Sequence, residues 1–305
     1  MMSLAIQWNV DPVMFHIGSF GVRWYSIGFL LAFVLGYYLV AAMFRREKVR
    51  TEYLDSLVVY IFLAVLVGAR LGHCLFYDFD YFFTSNNYTH QSHVVEVFWP
   101  FQDGQFTGFS GLASHGAAIG ILVAMWLFWR RYKINVWWLL DRLVIVVALG
   151  GAFVRIGNLF NSEIYGTVTD LPWGFIFVRE GETEPKHPTG LYEATGYLII
   201  FAVSLWYYLR KKGNFKAGSI FGWWLVALFG VRFLIEFVKT NGVVDGSPLL
   251  MGQWLSLPFI IGGLVITWFA RREKLPQGPF PQGEVKEIVE KWEKENNKKK
   301  KKDKK

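Results

Sequence analysis

Residues 137–170 read WWLLDRLVIVVALGGAFVRIGNLFNSEIYGTVTD, and the two halves of this stretch make different demands. The first half is an apolar run broken only by Asp141 and Arg142. The second, from Val154, carries Arg155, Asn158, Asn161 and Glu163, with glycines at Gly157 and Gly166. The run predicts a helix over 136–160, long enough for the roughly 30 Å hydrocarbon core of a bilayer. A helix that merely has to stop needs one cap and a cation at its end. This ending carries more polar groups than stopping explains.

Outward from that stretch the same pattern recurs. The chain has 305 residues, 53% hydrophobic and 18% aromatic. Further apolar runs lie near 19–44, 54–77, 109–129, 191–210, 217–238 and 250–270, each of spanning length. The expected fold class is an all-α polytopic integral membrane protein with seven transmembrane helices. The opening, MMSLAIQWNVDPVMF, has neither a basic n-region nor a small-residue cleavage site, so residues 1–18 are expected to stay as an N-terminal outer-face segment.

The connections set the direction of the spans. RREKVR, RRYK, RKKGNFK and RREK follow the first, third, fifth and seventh runs. The alternate connections are poor in cations: YDFDYFFTSNNYTHQSHVVEVFWPFQDGQF has no Lys or Arg, and 161–190 has only Arg179 and Lys186. By the positive-inside rule the N-terminus is outside and the C-terminus cytoplasmic, with 161–190 a small outer-face head segment. Residues 19–272 form the expected catalytic domain. Residues 273–305 form a cytoplasmic Pro/Gly linker, LPQGPFPQG, and a Lys-rich tail that supplies much of the net charge of +8. The tail reads as a solvated extension or as a segment drawn to anionic headgroups of membrane lipids. No nucleic-acid partner is expected, since nothing aromatic interleaves the terminal lysine run KKKKKDKK.

A single cysteine, Cys74, excludes an internal disulfide and any CxxC site. There is no HExxH and no GxSxG, although GLASHG comes near the latter at Ser114. Polar groups within the spans are costly, about 3 kcal/mol for a charge near the bilayer centre. Given the orientation, Arg23, Tyr25, Arg70, His73, His115, Arg155, Asn158, His187, Tyr192, Glu193, Arg232 and Glu236 all fall in the outer half of the membrane, whereas Asp141 and Arg142 fall close to the cytoplasmic surface. Each has a structural alternative. Arg232 and Glu236 are spaced to neutralise each other on one helix face, and Arg155 could snorkel. Asn158 and Asn161 could cap a helix end, and Tyr25 and Tyr192 could belong to an aromatic belt. His115 could be a core histidine, with Gly111, Gly116 and Gly120 serving close helix packing. Singly these alternatives are sound; together they do not explain one shared depth. Arginines in a lipid-accessible layer suit a phosphate, which the guanidinium fork binds bidentately. A histidine nearby can take a proton at neutral pH.

GAFVRIGNLFNSEIYG resembles the signature of the prolipoprotein diacylglyceryl transferase family. DPVMFHIGSFGVRWYSIGFLLAF, GARLGHCLFYDF, SGLASHGAAIG, HPTGLYEA, FGVRFLIEF and MGQWLSLP resemble other family segments, in the expected order over about residues 10–272. Departures are Ala117 where SHGG is frequent, Ser162 where NGE is frequent, and HPTGLYE for HPSQLYE. The resemblance implies a transferase moving the diacylglyceryl group of phosphatidylglycerol onto the lipobox cysteine of a prolipoprotein signal peptide, in the bacterial cytoplasmic (inner) membrane, with neither cofactor nor metal. It implies His115 as base and Arg155 and Arg232 as the phosphate clamp, with Glu236 holding Arg232. Tyr25, Asn158, Asn161, Glu163, Gly166, His187, Tyr192 and Glu193 would then frame the substrate. A transporter or channel, or another phospholipid-headgroup enzyme, is the alternative. A hydrolase among these would have to use Ser110 or Ser114 beside His115.

Overall fold

In a computed structural model of the chain, the described residues are 5–18, 20–83, 97–99, 101–102, 105–106, 111, 113–239 and 247–280. Ser110, the side chain of Ser114 and the Lys-rich tail from 281 onward lie outside them. The chain divides into two compact units, one of residues 1–48 and 137–279 and one of residues 49–136 and 280–305.

The first unit opens with β1 (Ile6–Trp8) and the hairpin β2 (Val13–Ile17) and β3 (Phe20–Arg23), which leads directly into helix α1 (Trp24–Arg46). The first helix therefore begins at Trp24, not near residue 19, because the hydrophobic residues ahead of it pair as an antiparallel hairpin. The second unit holds α2 (Glu52–Phe76), the short α3 (Phe79–Phe83), the strands β4 (Phe101–Gln102) and β5 (Gln105–Phe106), and α4 (Ser114–Tyr132). The first unit then resumes with α5 (Val136–Phe160), β6 (Phe175–Phe177), α6 (Thr189–Lys211), α7 (Ser219–Glu236) and α8 (Met251–Arg271). Seven of these helices have 18 or more residues, and α1, α2, α5, α7 and α8 are also apolar enough to cross a membrane. Leu30, Phe62, Leu122, Ile199, Leu234 and Leu255 project outward, the exposure of large apolar side chains that a bilayer favours and water does not. Helices α1, α4, α6 and α8 carry arginine or lysine in the last turn, where the helix dipole favours cations.

In the second unit, α2 and α4 cross at glycines. A Cβ on Gly68 or Gly72 would run into the backbone of Gly116, and one on Gly120 into the carbonyl of Ala64. The packing role anticipated for Gly116 and Gly120 is therefore real. Cys74 is fully buried with Phe82 and Val97.

In the first unit, Val144, Ile145, Ala148 and Ala152 of α5 form a core with Met43 of α1, Tyr197, Ile200 and Tyr208 of α6, and Ile220, Trp224 and Leu225 of α7. One end of α5 holds a network that the sequence did not show. Asp141 and Arg142 are 0% and 1% exposed. Arg142 donates from Nε and Nη2 to both oxygens of Glu47, at 3.0 and 2.6 Å, and from Nη1 to the Trp138 carbonyl at 2.9 Å. Its guanidinium also lies over the rings of Trp138 and Phe215. Asp141 accepts the backbone N–H groups of Gly218 (2.7 Å) and Phe221 (2.8 Å), so a carboxylate on α5 caps the start of α7. This works because Glu47 is the residue that ends α1 and Gly218 the one that precedes α7.

Candidate functional site

The other end of α5 carries the polar stretch. The helix closes with Ser162 N–H donating to the Leu159 carbonyl and Glu163 N–H to that of Asn158, with Ser162 at φ 55°. That is the bond pattern of a Schellman cap, whose left-handed position glycine normally fills. Ser162 holds it at a cost, and Ile164, β-branched, follows at φ 57°. The capping reading of this stretch is thus correct for the backbone, while the side chains do something else. Asn158 donates to Glu163 Oε2 at 3.1 Å and Asn161 to Glu163 Oε1 at 3.2 Å. Arg155 Nη1 lies 3.4 Å from Asn158 Oδ1. Two buried polar atoms here, Asn161 Oδ1 and Ser162 Oγ, have no hydrogen-bond partner among the described residues. An unsatisfied, strained turn at the end of an otherwise regular helix marks a functional site more often than a structural one.

A small platform supports this turn. β1 pairs in parallel with β6, and Trp8 of β1 donates from Nε1 to the Leu159 carbonyl at 2.9 Å while its ring packs on Phe160 and Phe175. Tyr165 stacks on Phe177 and donates to Glu182 at 2.8 Å. Burial and that carboxylate push the Tyr165 hydroxyl up to about 12. Glu182 is held below its usual range by its hydrogen bonds to Lys186 and Tyr165.

Gly166 is a position only glycine can fill. A Cβ there would collide with the Val238 carbonyl oxygen, Thr189 Cγ2 and His187 Cβ. The strip 166–169 is sewn on both sides: Gly166 N–H donates to the His187 carbonyl at 2.8 Å, and Thr167 N–H to that of Val238 at 2.9 Å. His187 Nδ1 is 3.2 Å from the Tyr192 hydroxyl, which also accepts from Trp173 Nε1 at 2.9 Å. Burial lowers the basicity of His187.

At the centre is Glu193, on the first turns of α6 and 0% exposed. Arg155 Nε approaches its Oε2 to 2.7 Å, and Lys239 Nζ its Oε1 to 2.9 Å. The Arg155 contact is an ion pair without an aligned hydrogen bond, since Oε2 accepts none. Nε makes the closest approach, and the one hydrogen bond that the terminal Nη1/Nη2 edge of Arg155 makes to a described residue is the long one to Asn158. Arg232, Arg155 and Glu193 all lie near the buried Tyr197. Glu236 does not hold Arg232. It pairs with Lys239 at 3.5 Å and accepts the N–H of Gly252 at 3.2 Å. The i, i+4 pairing expected of Arg232 and Glu236 is replaced because Lys239, one turn further on, reaches back to the carboxylate. Tyr25 packs its ring against Gly157, whose Cβ would meet Tyr25 Cδ2 at 2.5 Å. Arg23 is exposed at the start of α1.

Lys239 and Tyr197 were missed in the sequence. Lys239 sits past the end of α7 in a polar connection that shows no period, and Tyr197 reads as one more aromatic in a span. The spacing Glu236 to Lys239 was the available signal for the former.

His115 and Arg70 belong to the second unit. His115 is the second residue of α4, exposed, and makes no hydrogen bond to a described residue. Arg70 is buried and donates from Nε to the Val97 carbonyl at 2.8 Å, with its guanidinium over Phe82. His73 pairs with Asp78 at 2.8 Å, and its ring occupies the space a side chain at Gly111 would need. Neither Arg70 nor His73 thus needs a ligand to account for it.

A helical polytopic membrane protein that buries one carboxylate, Glu193, between an arginine and a lysine is the class the fold and the site define. The model of the prolipoprotein diacylglyceryl transferase family matches residues 12–269. A phosphatidylglycerol–prolipoprotein diacylglyceryl transferase of Tolumonas auensis is 40% identical over 270 residues, covering 88% of this chain and 98% of that protein. Proteins of the same name from Bacteroides fragilis and Chloroherpeton thalassium are 37% and 38% identical, covering 89% and 87% of this chain and 97% and 94% of theirs. The chain belongs to the prolipoprotein diacylglyceryl transferase family.

Proposed function

We propose that the protein transfers the diacylglyceryl group of phosphatidylglycerol to the lipobox cysteine of prolipoproteins. The observation that carries this reading is the Arg155 fork, directed by Glu193 and left open at its terminal edge, on a chain that belongs to this family. The substrate thiolate attacks the glyceryl carbon bearing the phosphate. A C–S bond forms, the C–O bond breaks, and glycerol phosphate leaves with the electron pair. The thiol, with an ordinary pKa near 8.5, gives its proton to a base. His115, exposed at the first turn of α4, fits that role by its chemistry. Arg155 and Arg232 neutralise the phosphate as it departs. Asn158, Asn161, Glu163 and Gly166 hold the turn that frames the headgroup, and Tyr25, His187 and Tyr192 line the approach to it. Glu193 and Glu236 set the cations in place.

In this reading all seven long helices span the cytoplasmic membrane, α4 and α6 included, with the N-terminus outside. The loop charges support it: basic residues follow α1, α4, α6 and α8. The 161–190 segment is then a periplasmic head, the site lies toward the outer half of the bilayer, and the Lys-rich tail faces the anionic inner leaflet.

Purified protein is incubated with phosphatidylglycerol and a lipobox peptide, and the peptide is weighed by mass spectrometry. A cysteine-dependent gain of one diacylglyceryl mass is expected. Its absence, where a transferase of the family succeeds, overturns the assignment. In the same assay His115→Asn is expected to lose about 10²–10⁴ in rate; normal turnover would remove His115 as base.

A further inference from the structure

We infer that Lys239 is a positioning residue that keeps the phosphate-binding edge of Arg155 free, by occupying the oxygen of Glu193 that would otherwise close on it. The inference rests on the transferase reading and adds to it a residue that the motifs of the sequence did not single out.

An arginine and a carboxylate left together settle into the bidentate arrangement, two parallel N–H···O bonds across the guanidinium fork. A lipid phosphate needs that same fork. A buried carboxylate beside a phosphate-binding arginine therefore competes with the substrate unless something limits it to one contact. In this protein Glu193 is 0% exposed, and Lys239 takes Oε1 at 2.9 Å, leaving Oε2 to Arg155 Nε at 2.7 Å. The buried carboxylate is thus shared between two cations, one oxygen each. It steadies Arg155 from the side and leaves the Nη1/Nη2 edge, among the described residues, with the long Asn158 hydrogen bond.

Lys239 is held in this position by more than its charge. Its backbone N–H donates to the Glu236 carbonyl at 3.1 Å, and its residue forms an antiparallel bridge with Gly166. Gly166 has no side chain where the Val238 carbonyl passes, which is what brings the 238–239 backbone against the strip. On its other side the ammonium meets Glu236 at 3.5 Å, and Glu236 is anchored by Gly252 N–H. The signature glycine and the end of α7 so act together on one lysine, and through it on Glu193 and Arg155. Without Lys239, Glu193 would be free to turn both oxygens to Arg155, and the protein would occupy its own phosphate site.

A double-mutant cycle tests this, because the effect is transmitted through one named residue. Affinity for phosphatidylglycerol is measured on purified protein in phosphatidylcholine nanodiscs, with thermal unfolding of each variant alongside. Lys239→Met is expected to weaken binding about tenfold when Glu193 is present, the scale of a charged hydrogen bond. In a Glu193→Gln background the same change should cost less than about threefold, since a neutral amide has no charge to close on the fork. Lys239→Arg should stay within about twofold of the starting protein, because it still supplies a cation to Oε1. Equal losses in both backgrounds would mean that Lys239 meets the lipid itself, and no loss in either would mean that Glu193 needs no restraint; each result overturns the inference. So does a drop in thermal stability with unchanged affinity. If Lys239→Met does not accumulate, Lys239→Gln enters the same cycle with the same criterion. The unsubstituted protein is assayed in parallel for transfer to the lipobox peptide. Failure there strikes the transferase reading, whereas the cycle strikes only the role of Lys239.

Discussion

The two ends of α5 both carry charged residues, and they treat them in opposite ways. At the Arg142 end four hydrogen bonds tie one guanidinium to Glu47 and to the carbonyls of Trp138 and Gly213, and both oxygens of Asp141 meet backbone N–H groups. At the Arg155 end the guanidinium has the Nε approach to Glu193 and one long Nη1 bond to Asn158, two nearby polar atoms lack partners among the described residues, and two non-glycine residues sit at positive φ. The first arrangement is closed and joins the ends of α1, α6 and α7 to α5. The second has spare bonding capacity and strain, which a rigid scaffold retains where a ligand is to bind. A charge within a membrane helix is therefore no guide to function until its partners are counted.

The contrast can be broken experimentally. Arg155→Lys keeps the charge and removes the fork, and transfer to the lipobox peptide should fall about 10²–10³-fold at normal protein levels. Full activity in that variant would refute bidentate phosphate binding there. Glu47→Ala should do the reverse. It strands a buried arginine and should cost about 3–5 kcal/mol in stability, read from membrane levels and thermal unfolding, with little change in turnover per folded molecule. Gly166→Ala forces a methyl group against the Val238 carbonyl and should cost about 1–3 kcal/mol while also lowering activity, because that strip carries Lys239. Ser162→Gly should stabilise by about 0.5–1 kcal/mol, by relieving the left-handed position, and leave activity intact.

The smallest effect concerns pH. Burial lowers the His187 pKa below its ordinary 6.5, so the unfolded chain binds the proton more readily. Stability from this group is present above about pH 6.5 and is lost as pH falls through the lower folded value. The unfolding midpoint should therefore drop on acidification from pH 7 to about 5.5, and less so in His187→Gln.

The long helices were legible because bilayer thickness imposes a length and an apolar composition that a sequence displays openly; five of the seven meet both demands. Even their ends came within a few residues, except where the 13–23 hairpin precedes α1. Arg155, Asn158 and Glu193 stood out in the sequence as costly polar groups in apolar runs, and the structure brings them together with Glu163. The pairings among them were not legible. β1 and β6 join residues as distant as Trp8 and Phe177, and Glu47 meets Arg142, 95 residues further along the sequence. No periodicity encodes such contacts. Spacing favoured Arg232 with Glu236, and the carboxylate chose Lys239 because the backbone bridge at Gly166 delivers it. The pairing of Asp141 and Arg142 stayed hidden for a related reason: depth along a helix does not reveal whether neighbouring helix ends fold over it.

Cys74 has a practical consequence. It is the one cysteine of the chain and lies fully buried with Phe82 and Val97. The reaction proposed here consumes a thiol that arrives on the other substrate. A thiol-reactive dye added to the folded protein and a lipobox peptide would thus find a single accessible sulfur, that of the peptide. Its disappearance could be followed continuously, and any cysteine introduced on α6 or α7 would report on its own surroundings alone.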